Sequence, residues 1–388
     1  MKTIGIGLIG CGERIRTLMG ALLTGRDGLE ITAICDPSDK AVGRARQTFA
    51  KNARVYADYH DLVADAAVDW VLVGSWNCFH AQHVTAAFHA HKHVFCEKPL
   101  ATTLDDCLAM RDAWLAAEKT FVIGYTLRYS PLYRKIRQLI HGGAIGDLIS
   151  LEFNETLPFG HGGWIHADWR RHSRNAGTHL LEKCSHDVDL VNWYVGALAS
   201  RVASFGGCDY FVPKNAWHVQ RIGPAPDGKQ PYGDWWEVMG YAKPPADCFG
   251  TDKDIVDNQV AIIEYANRVR ATFHTNLHSG LPERRMYICG TEGAIRADST
   301  AGTLQLGRIA WGAPVESIPF NNAGEHAGGD AILAAELAAT MLEGAPPVVS
   351  MEEALKAAVT CLAVDKALTS GTVVDVAESW KRFGMIAR

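Results

Sequence analysis

The sequence predicts an α/β fold of two domains: an N-terminal doubly wound parallel sheet over residues 1–125, and a second domain over 126–388 whose C-terminal helices pack back. Three observations carry this. The chain has 388 residues, more than the roughly 250–300 that one hydrophobic core fills. It opens with a strand, a glycine turn and a helix, and the first third then alternates short apolar runs with helical patterns.

Composition narrows the partners. The formal net charge of −5 argues against a dedicated nucleic-acid surface and for a small-molecule partner. The ten cysteines are scattered through apolar runs with no CxxC pair, the pattern of a reduced, cytoplasmic chain. No run approaches the ~20 apolar residues of a membrane span, and MKTIGIGLIGCG reads as a strand rather than a signal peptide.

Thr3 to Ile9 is a short apolar run, followed by Gly10-Cys11-Gly12-Glu13-Arg14-Ile15 and a helical pattern through Leu18, Leu22 and Leu23. A second run, Leu29 to Cys35, ends at Asp36, where a Rossmann unit places the acid that accepts hydrogen bonds from the adenosine ribose. Gly10 permits the tight turn, and Gly12 lets the backbone approach a pyrophosphate at the helix N-terminus. Ile15 stands where the strict fingerprint has a third glycine. A free carboxylate at Asp36 repels a 2′-phosphate, so NAD is expected over NADP; Arg44 and Arg46 in the next helix are the features that favour NADP.

Alternation continues with strands near Arg54–Tyr56, Trp70–Gly74, His93–Cys96 and Phe121–Gly124. Helices are expected around Tyr59–Ala64, His80–Ala90 and Leu104–Lys119. Ligands of such sheets bind at the carboxyl ends of the strands, which here carry Ser75-Trp76-Asn77, Glu97-Lys98-Pro99 and Tyr125-Thr126-Leu127-Arg128.

Cys96-Glu97-Lys98-Pro99-Leu100-Ala101, following Gly74-Ser75-Trp76-Asn77-Cys78-Phe79-His80, resembles the glucose-fructose oxidoreductase / inositol dehydrogenase / MocA family. Leu181-Glu182-Lys183-Cys184-Ser185-His186-Asp187-Val188-Asp189 resembles its DxxxHxxD helix, with Glu182 in place of the usual aspartate. Trp76 stands where relatives commonly carry proline. Tyr129-Ser130-Pro131 looks like the family's exit from the first domain, and Gly328-Gly329-Asp330 like its C-terminal return. The resemblance covers nearly the whole chain.

It implies an NAD(P)-dependent oxidoreductase acting on a sugar, polyol or sugar-acid alcohol. The second domain would be α+β, with a large open, mostly antiparallel sheet that covers the nicotinamide; Leu148–Glu155, Arg201–Cys208, Gln259–Tyr265, Arg268–Leu277 and Met286–Cys289 are its candidate strands. Pro and Gly cluster between Gly223 and Pro245, expected as a long loop. The open sheet face implies a homodimer or homotetramer. Cofactor contacts are expected from Gly10, Gly12, Glu13, Arg14, Ile15 and Asp36, and from the edge residues Ser75, Trp76, Asn77, His80, Glu97, Lys98 and Arg128.

Oxidising a secondary alcohol requires removal of its hydroxyl proton as hydride leaves, work suited to a group that titrates near neutrality. By resemblance His186 is that base, Glu182 orients it or binds a neighbouring hydroxyl, and Lys98 polarises the reacting oxygen. If the segment is one helix, Glu182 and His186 stack on one face. Trp164, Trp169, Arg170, Arg171 and His172 are expected in a polar, aromatic-rich loop suited to sugar faces or an acidic sugar. His179 and Tyr125 are further substrate candidates, and Asn154 and Glu155 weaker ones. No metal is expected. His89, His91 and His93 straddle a helix-to-strand junction, and Cys184 points away from Glu182 and His186 on a helix. The alternative reaction is a redox-neutral glycosidase that oxidises transiently, eliminates, hydrates and re-reduces. A non-catalytic sensor is the remaining reading.

Overall fold

The computed structural model describes residues 3–226, 228, 247–321 and 323–386. The stretch expected as a long loop between Gly223 and Pro245 falls mostly outside them. The elements in chain order are β1 (Ile4–Ile9), α1 (Glu13–Leu23), β2 (Leu29–Cys35), α2 (Asp39–Thr48), β3 (Arg54–Val55), α3 (Tyr59–Ala64), β4 (Trp70–Val73), α4 (His80–His89), β5 (His93–Cys96), α5 (Leu104–Ala117) and β6 (Phe121–Ile123). Next come α6 (Pro131–His141), β7 (Leu148–Pro158), α7 (Phe159–Ala167), α8 (Ser173–Ala176), α9 (His179–Lys183), α10 (Ser185–Val195), β8 (Ala199–Gly207) and α11 (His218–Ile222). The remainder is β9 (Asn258–Tyr265), β10 (Arg270–Ser279), β11 (Arg285–Gly290), β12 (Gly293–Asp298), β13 (Thr303–Arg308), β14 (Glu316–Ser317), α12 (Gly329–Glu343), α13 (Met351–Ser370), β15 (Val374–Asp375) and α14 (Ala377–Arg382).

Two compact units result: Met1–Ser130 with Ala323–Ala358, and Pro131–Asn322 with Val359–Arg388. The first holds a six-stranded sheet of order β3-β2-β1-β4-β5-β6, parallel throughout. Its central strands are covered on both faces, so β4 is buried at all four positions and reads as a continuous apolar run. Strand order reverses between β1 and β4, which makes their carboxyl ends the switch point where ligands of such sheets bind.

The second unit holds a nine-stranded sheet of order β14-β13-β12-β11-β7-β10-β9-β8-β15. All neighbours are antiparallel except β7 and β10. β9 and β10 alternate buried and exposed, the period of a sheet with one packed face. Its other face exposes Phe205, Val260 and Ile262, with Phe205 directly opposite Val260. Strands β12 to β15 have no counterpart among those expected. They are only two to six residues long, and Arg and Gln interrupt the apolar pattern of β12 and β13.

Two further expectations are corrected. Trp164, expected in the polar loop with Trp169 to His172, lies in α7 and is 6% exposed. The three glycines of α7 lower helix propensity and hide it from pattern reading; yet one of them, Gly162, lies so near β10 that a methyl there would fall 1.9 Å from the Leu277 carbonyl oxygen. The segment carrying Glu182 and His186 is not one helix either. It breaks at Cys184 (φ −94, ψ 2), between α9 and α10.

Candidate active site

At the switch point of the first unit the glycine turn is shaped by backbone proximity. Gly10 has φ +88, and a Cβ there would lie 2.6 Å from Gly74 C and Ser75 N, so only glycine fits. Above the turn, a Cβ on Gly12 would meet nothing within 4 Å. Gly12 is the N-cap of α1 and offers no side chain to its N–H groups. The helix head is therefore open to an anion. Asp36 lies beside it: Oδ2 accepts from Cys11 N at 2.6 Å and Oδ1 from Ser38 N at 2.7 Å. This arrangement fits a dinucleotide: Gly10 to Glu13 would hold its pyrophosphate and Asp36 its ribose.

Ile15, the departure from the glycine fingerprint, is fully buried. A Cβ on Gly74 would lie 2.1 Å from Ile15 Cγ1. The third glycine normally allows helix and strand to approach; here the space is supplied from the strand side by Gly74.

Arg14 is committed to side chains. Its Nε bonds Glu97 Oε1 at 3.0 Å, its Nη2 bonds Thr126 Oγ1 at 2.8 Å, and it pairs with Asp330. One guanidinium thus joins the turn, the Glu97-Lys98-Pro99 edge, the Arg128 edge and the head of α12. The neighbouring Arg14 and His326 hold the Asp330 carboxyl down at about 2 against burial. Glu13 pairs with Arg16 at 2.5 Å. His80, fully buried, lies 2.8 Å from the Pro99 carbonyl through Nδ1 and 3.2 Å from the Ser75 carbonyl through Nε2, so its ring sits between two edges and in the neutral form donates to one of these carbonyls. Burial lowers its pKa. Lys98 is half-buried, Asn77 buried and Trp76 43% exposed. Arg128, 1% exposed, pairs with Glu353 at 2.9 Å, and Tyr125 is fully buried.

In the second unit α9 is short and N-capped by Thr178, whose side chain accepts from Leu181 N. Glu182 (8% exposed) is the penultimate residue of α9, and His186 (5%) lies in the first turn of α10. Arg170 stacks between Trp164 and Trp169, 4.4 and 4.3 Å from their ring centroids. It bonds Asp168 Oδ2 at 2.6 Å and Glu182 Oε1 at 3.1 Å. The two tryptophans expected as sugar platforms therefore clamp a guanidinium whose charge fixes Glu182.

His179 is buried, with Nε2 3.1 Å from Thr275 Oγ1. Burial pulls its pKa to about 4, so it is neutral. Beyond Cys184, Arg284 forks onto Asp187, with Nε to Oδ1 at 2.8 Å and Nη2 to Oδ2 at 2.6 Å, and reaches Glu155 Oε1 at 3.1 Å. Lys183 Nζ is 3.6 Å from the same Glu155 oxygen. Asn154 pairs with Glu283 instead.

Donor atoms of Glu155, Cys184 and Asp187 lie within 4.8 Å of one another, but Arg284 supplies the cation these carboxylates need. His166, Cys208 and Asp257 form a second such group. Asp257 accepts from the N–H groups of Tyr210 and Phe211, both at 2.8 Å, and of Asp209 at 3.1 Å, so it anchors that loop. Of the histidine run, His93 stacks on Trp70 with ring centroids 5.0 Å apart and accepts from Thr120 N at 3.2 Å. Sequence reading did not find Asp168, Asp187 or Arg284. Asp168 has a local signal, two residues before Arg170; Arg284 has none, since its partners lie far away in sequence.

The model of the oxidoreductase family's NAD-binding Rossmann fold matches residues 4–125, and that of its C-terminal α/β domain matches residues 137–376. The chain belongs to the Gfo/Idh/MocA family. Among relatives of this Gfo/Idh/MocA protein, YteT of Bacillus subtilis is 24% identical over 355 residues, covering 79% of this chain and 82% of YteT. The inositol 2-dehydrogenase/D-chiro-inositol 3-dehydrogenase of Shouchella clausii is 32% identical over 197 residues, 49% of this chain and 53% of that enzyme. The match thus spans about half the length of that inositol dehydrogenase. Levoglucosan dehydrogenase, solved with NADH and levoglucosan, superposes with a TM-score of 0.75 at 20% identity over 97% of this chain and all of that one; this likeness shows the shared fold.

Proposed function

We propose that this oxidoreductase transfers hydride between NAD and the secondary alcohol of a sugar, polyol or sugar acid. The observation that carries the reading is that one chain keeps both halves of the family's machinery. Glu97-Lys98-Pro99 follows a strand's carboxyl end in the first unit, and His186 opens a buried helix in the second. The sugar class is supported by the inositol and levoglucosan dehydrogenases among its relatives. NAD rather than NADP is supported by Asp36, whose carboxylate would repel a 2′-phosphate.

In this reading Lys98 holds and polarises the reacting oxygen, and His186 takes the hydroxyl proton. Bound nicotinamide supplies the hydride acceptor. Glu182, held by Arg170, accepts a neighbouring substrate hydroxyl or orients the base; Arg170 and the two tryptophans form its support. Asn77 and His80 keep the cofactor edge in shape. The exposed Phe205, Val260 and Ile262 support a homodimer or homotetramer through the open sheet face. The free thiols of all ten cysteines support a reducing, cytoplasmic setting. Among the described residues no helix is long and apolar enough to cross a membrane.

The test is incubation of the purified protein with NAD⁺ and a panel of inositols, sugars, sugar acids and aryl glycosides. NADH formation in step with product is expected. Aglycone release without NADH accumulation would replace this reading with the redox-neutral glycosidase, and neither signal would refute both.

A further inference from the structure

The break at Cys184 raises a mechanical question. A continuous helix would fix the angle of His186 through its own hydrogen bonds, but here the chain restarts: Asp187 N and Val188 N both bond back to Cys184 O, at 2.9 and 3.1 Å. The head of α10 therefore needs an anchor from elsewhere. The residue next to His186 provides one: Asp187 is fully buried and bonded through both carboxylate oxygens to Arg284.

Arg284 is itself held rigidly. Its neighbour Glu283 bridges to Thr156 of β7, with Thr156 N to Glu283 O at 2.9 Å and Glu283 N to Thr156 Oγ1 at 3.0 Å. This places the guanidinium beside Glu155, the residue before Thr156. The route runs from the sheet through Arg284 to Asp187, and from there one residue to His186. A fork of two charge-assisted bonds fixes orientation as well as distance.

We propose that Arg284 is a positioning residue for the chemistry at His186: its fork on Asp187, braced by Glu155, sets the angle at which the broken helix presents the imidazole. This rests on the reading of His186 as the proton acceptor. Arg284 itself touches neither the reacting atoms nor the cofactor in this scheme.

The electrostatics agree. Burial pushes Asp187 up to about 6 against the pull of Arg284. Burial also raises Glu155, yet Arg284 and Lys183 overcome it and hold that carboxyl at about 2. The other groups facing this pair are His179 on α9, His161 on α7, Tyr133 on α6 and the Cys184 thiol. Burial lowers both histidines, to about 4 and about 3, and raises Tyr133 and Cys184. Without Arg284, Lys183 is the one cation left among them, and both carboxyls move up.

The experiment is ring-carbon NMR on histidine-labelled full-length protein, with the His186 signal assigned by its loss in His186→Ala. In Arg284→Met the His186 resonance is expected to shift, while those of His80 and His83 in the first unit stay in place. In Arg284→Lys, which restores the charge but not the fork, the shift is expected to persist in part. With myo-inositol or whichever panel compound is turned over, kcat of Arg284→Met is expected to fall roughly 10- to 100-fold, the scale of a small misplacement. The KM for NAD⁺ should stay unchanged. A His186 resonance superimposable on wild type, or an unchanged kcat, overturns the proposal. Should Arg284→Met fail to fold, Asp187→Asn keeps the volume and loses the charge, and the same two readouts decide. Near wild-type turnover in His186→Ala would instead refute the parent reading, whatever Arg284 does.

Discussion

In the first unit the floor of the candidate site is main chain, a glycine at φ +88 pressed on the backbone at Gly74 and Ser75 and an open helix head, with Arg14 bracing the strand ends beside it. In the second unit it is made of charged side chains, with Arg170 clamping Glu182 and Arg284 clamping Asp187. The backbone contact at Gly10 leaves no room for added volume and does not itself titrate. Buried charges depend on every partner keeping its place and its proton state. Each half therefore fails in its own way.

The largest effect is expected where chemistry sits on either scaffold. His186→Ala and Lys98→Ala should each lower turnover at least ~10²-fold, the scale of lost acid–base catalysis, in steady-state NADH assays. Next, Gly10→Ala tests the main-chain half. Its methyl would lie 2.6 Å from backbone, at a φ that costs an L-residue about 1 kcal/mol or more. Loss of NAD⁺ binding by calorimetry is expected, whereas Glu182→Gln should leave NAD⁺ binding intact; equal losses in both would erase the contrast.

Two carboxylates then separate the units by pH. Asp365 on α13, buried and bonded to Thr178 Oγ1 at 2.6 Å, is pushed up to about 7 by burial. A carboxyl raised in the folded state binds its proton more tightly there than in the unfolded chain. Its favourable contribution is complete below the unfolded pKa and is lost as pH rises through about 7. Asp365→Asn should therefore stabilise the protein by about 2–4 kcal/mol at pH above the folded value, read as a higher melting temperature in alkaline but not acidic buffer. Asp330 in the first unit has the opposite sign. Depressed to about 2, it stabilises above the unfolded pKa, and the contribution of about 2 kcal/mol disappears as pH falls from 4 towards 2. Asp330→Asn should flatten that acid limb of the melting curve; an unchanged limb would mean that Arg14 and His326 do not act on it as described.

The same contrast explains what could be read in advance. Strands β1 to β6 and their helices were legible because short apolar runs, glycine turns and edge motifs are local patterns, and Asp36 follows the turn at a fixed distance. The helical character of 159–167 was masked by glycines, and the break at Cys184 by a sequence that reads as uninterrupted helix. Arg284 and Asp187 meet only because the bridge between Thr156 and Glu283 brings distant strands together. No spacing rule encodes such a pairing, and cation–π stacking of Arg170 on Trp164 likewise converts expected sugar platforms into scaffolding.

Ile15 and Gly74 form an epistatic pair: the volume that the fingerprint removes from the helix has been removed from the strand instead. Gly74→Ala in this background drives a methyl to 2.1 Å from Ile15 Cγ1, and the three atoms nearest that methyl all belong to Ile15. Combined with Ile15→Gly, the same substitution is relieved of those contacts. Either residue scored by itself looks like a defect, and the fitness of each is legible only as a property of the two together.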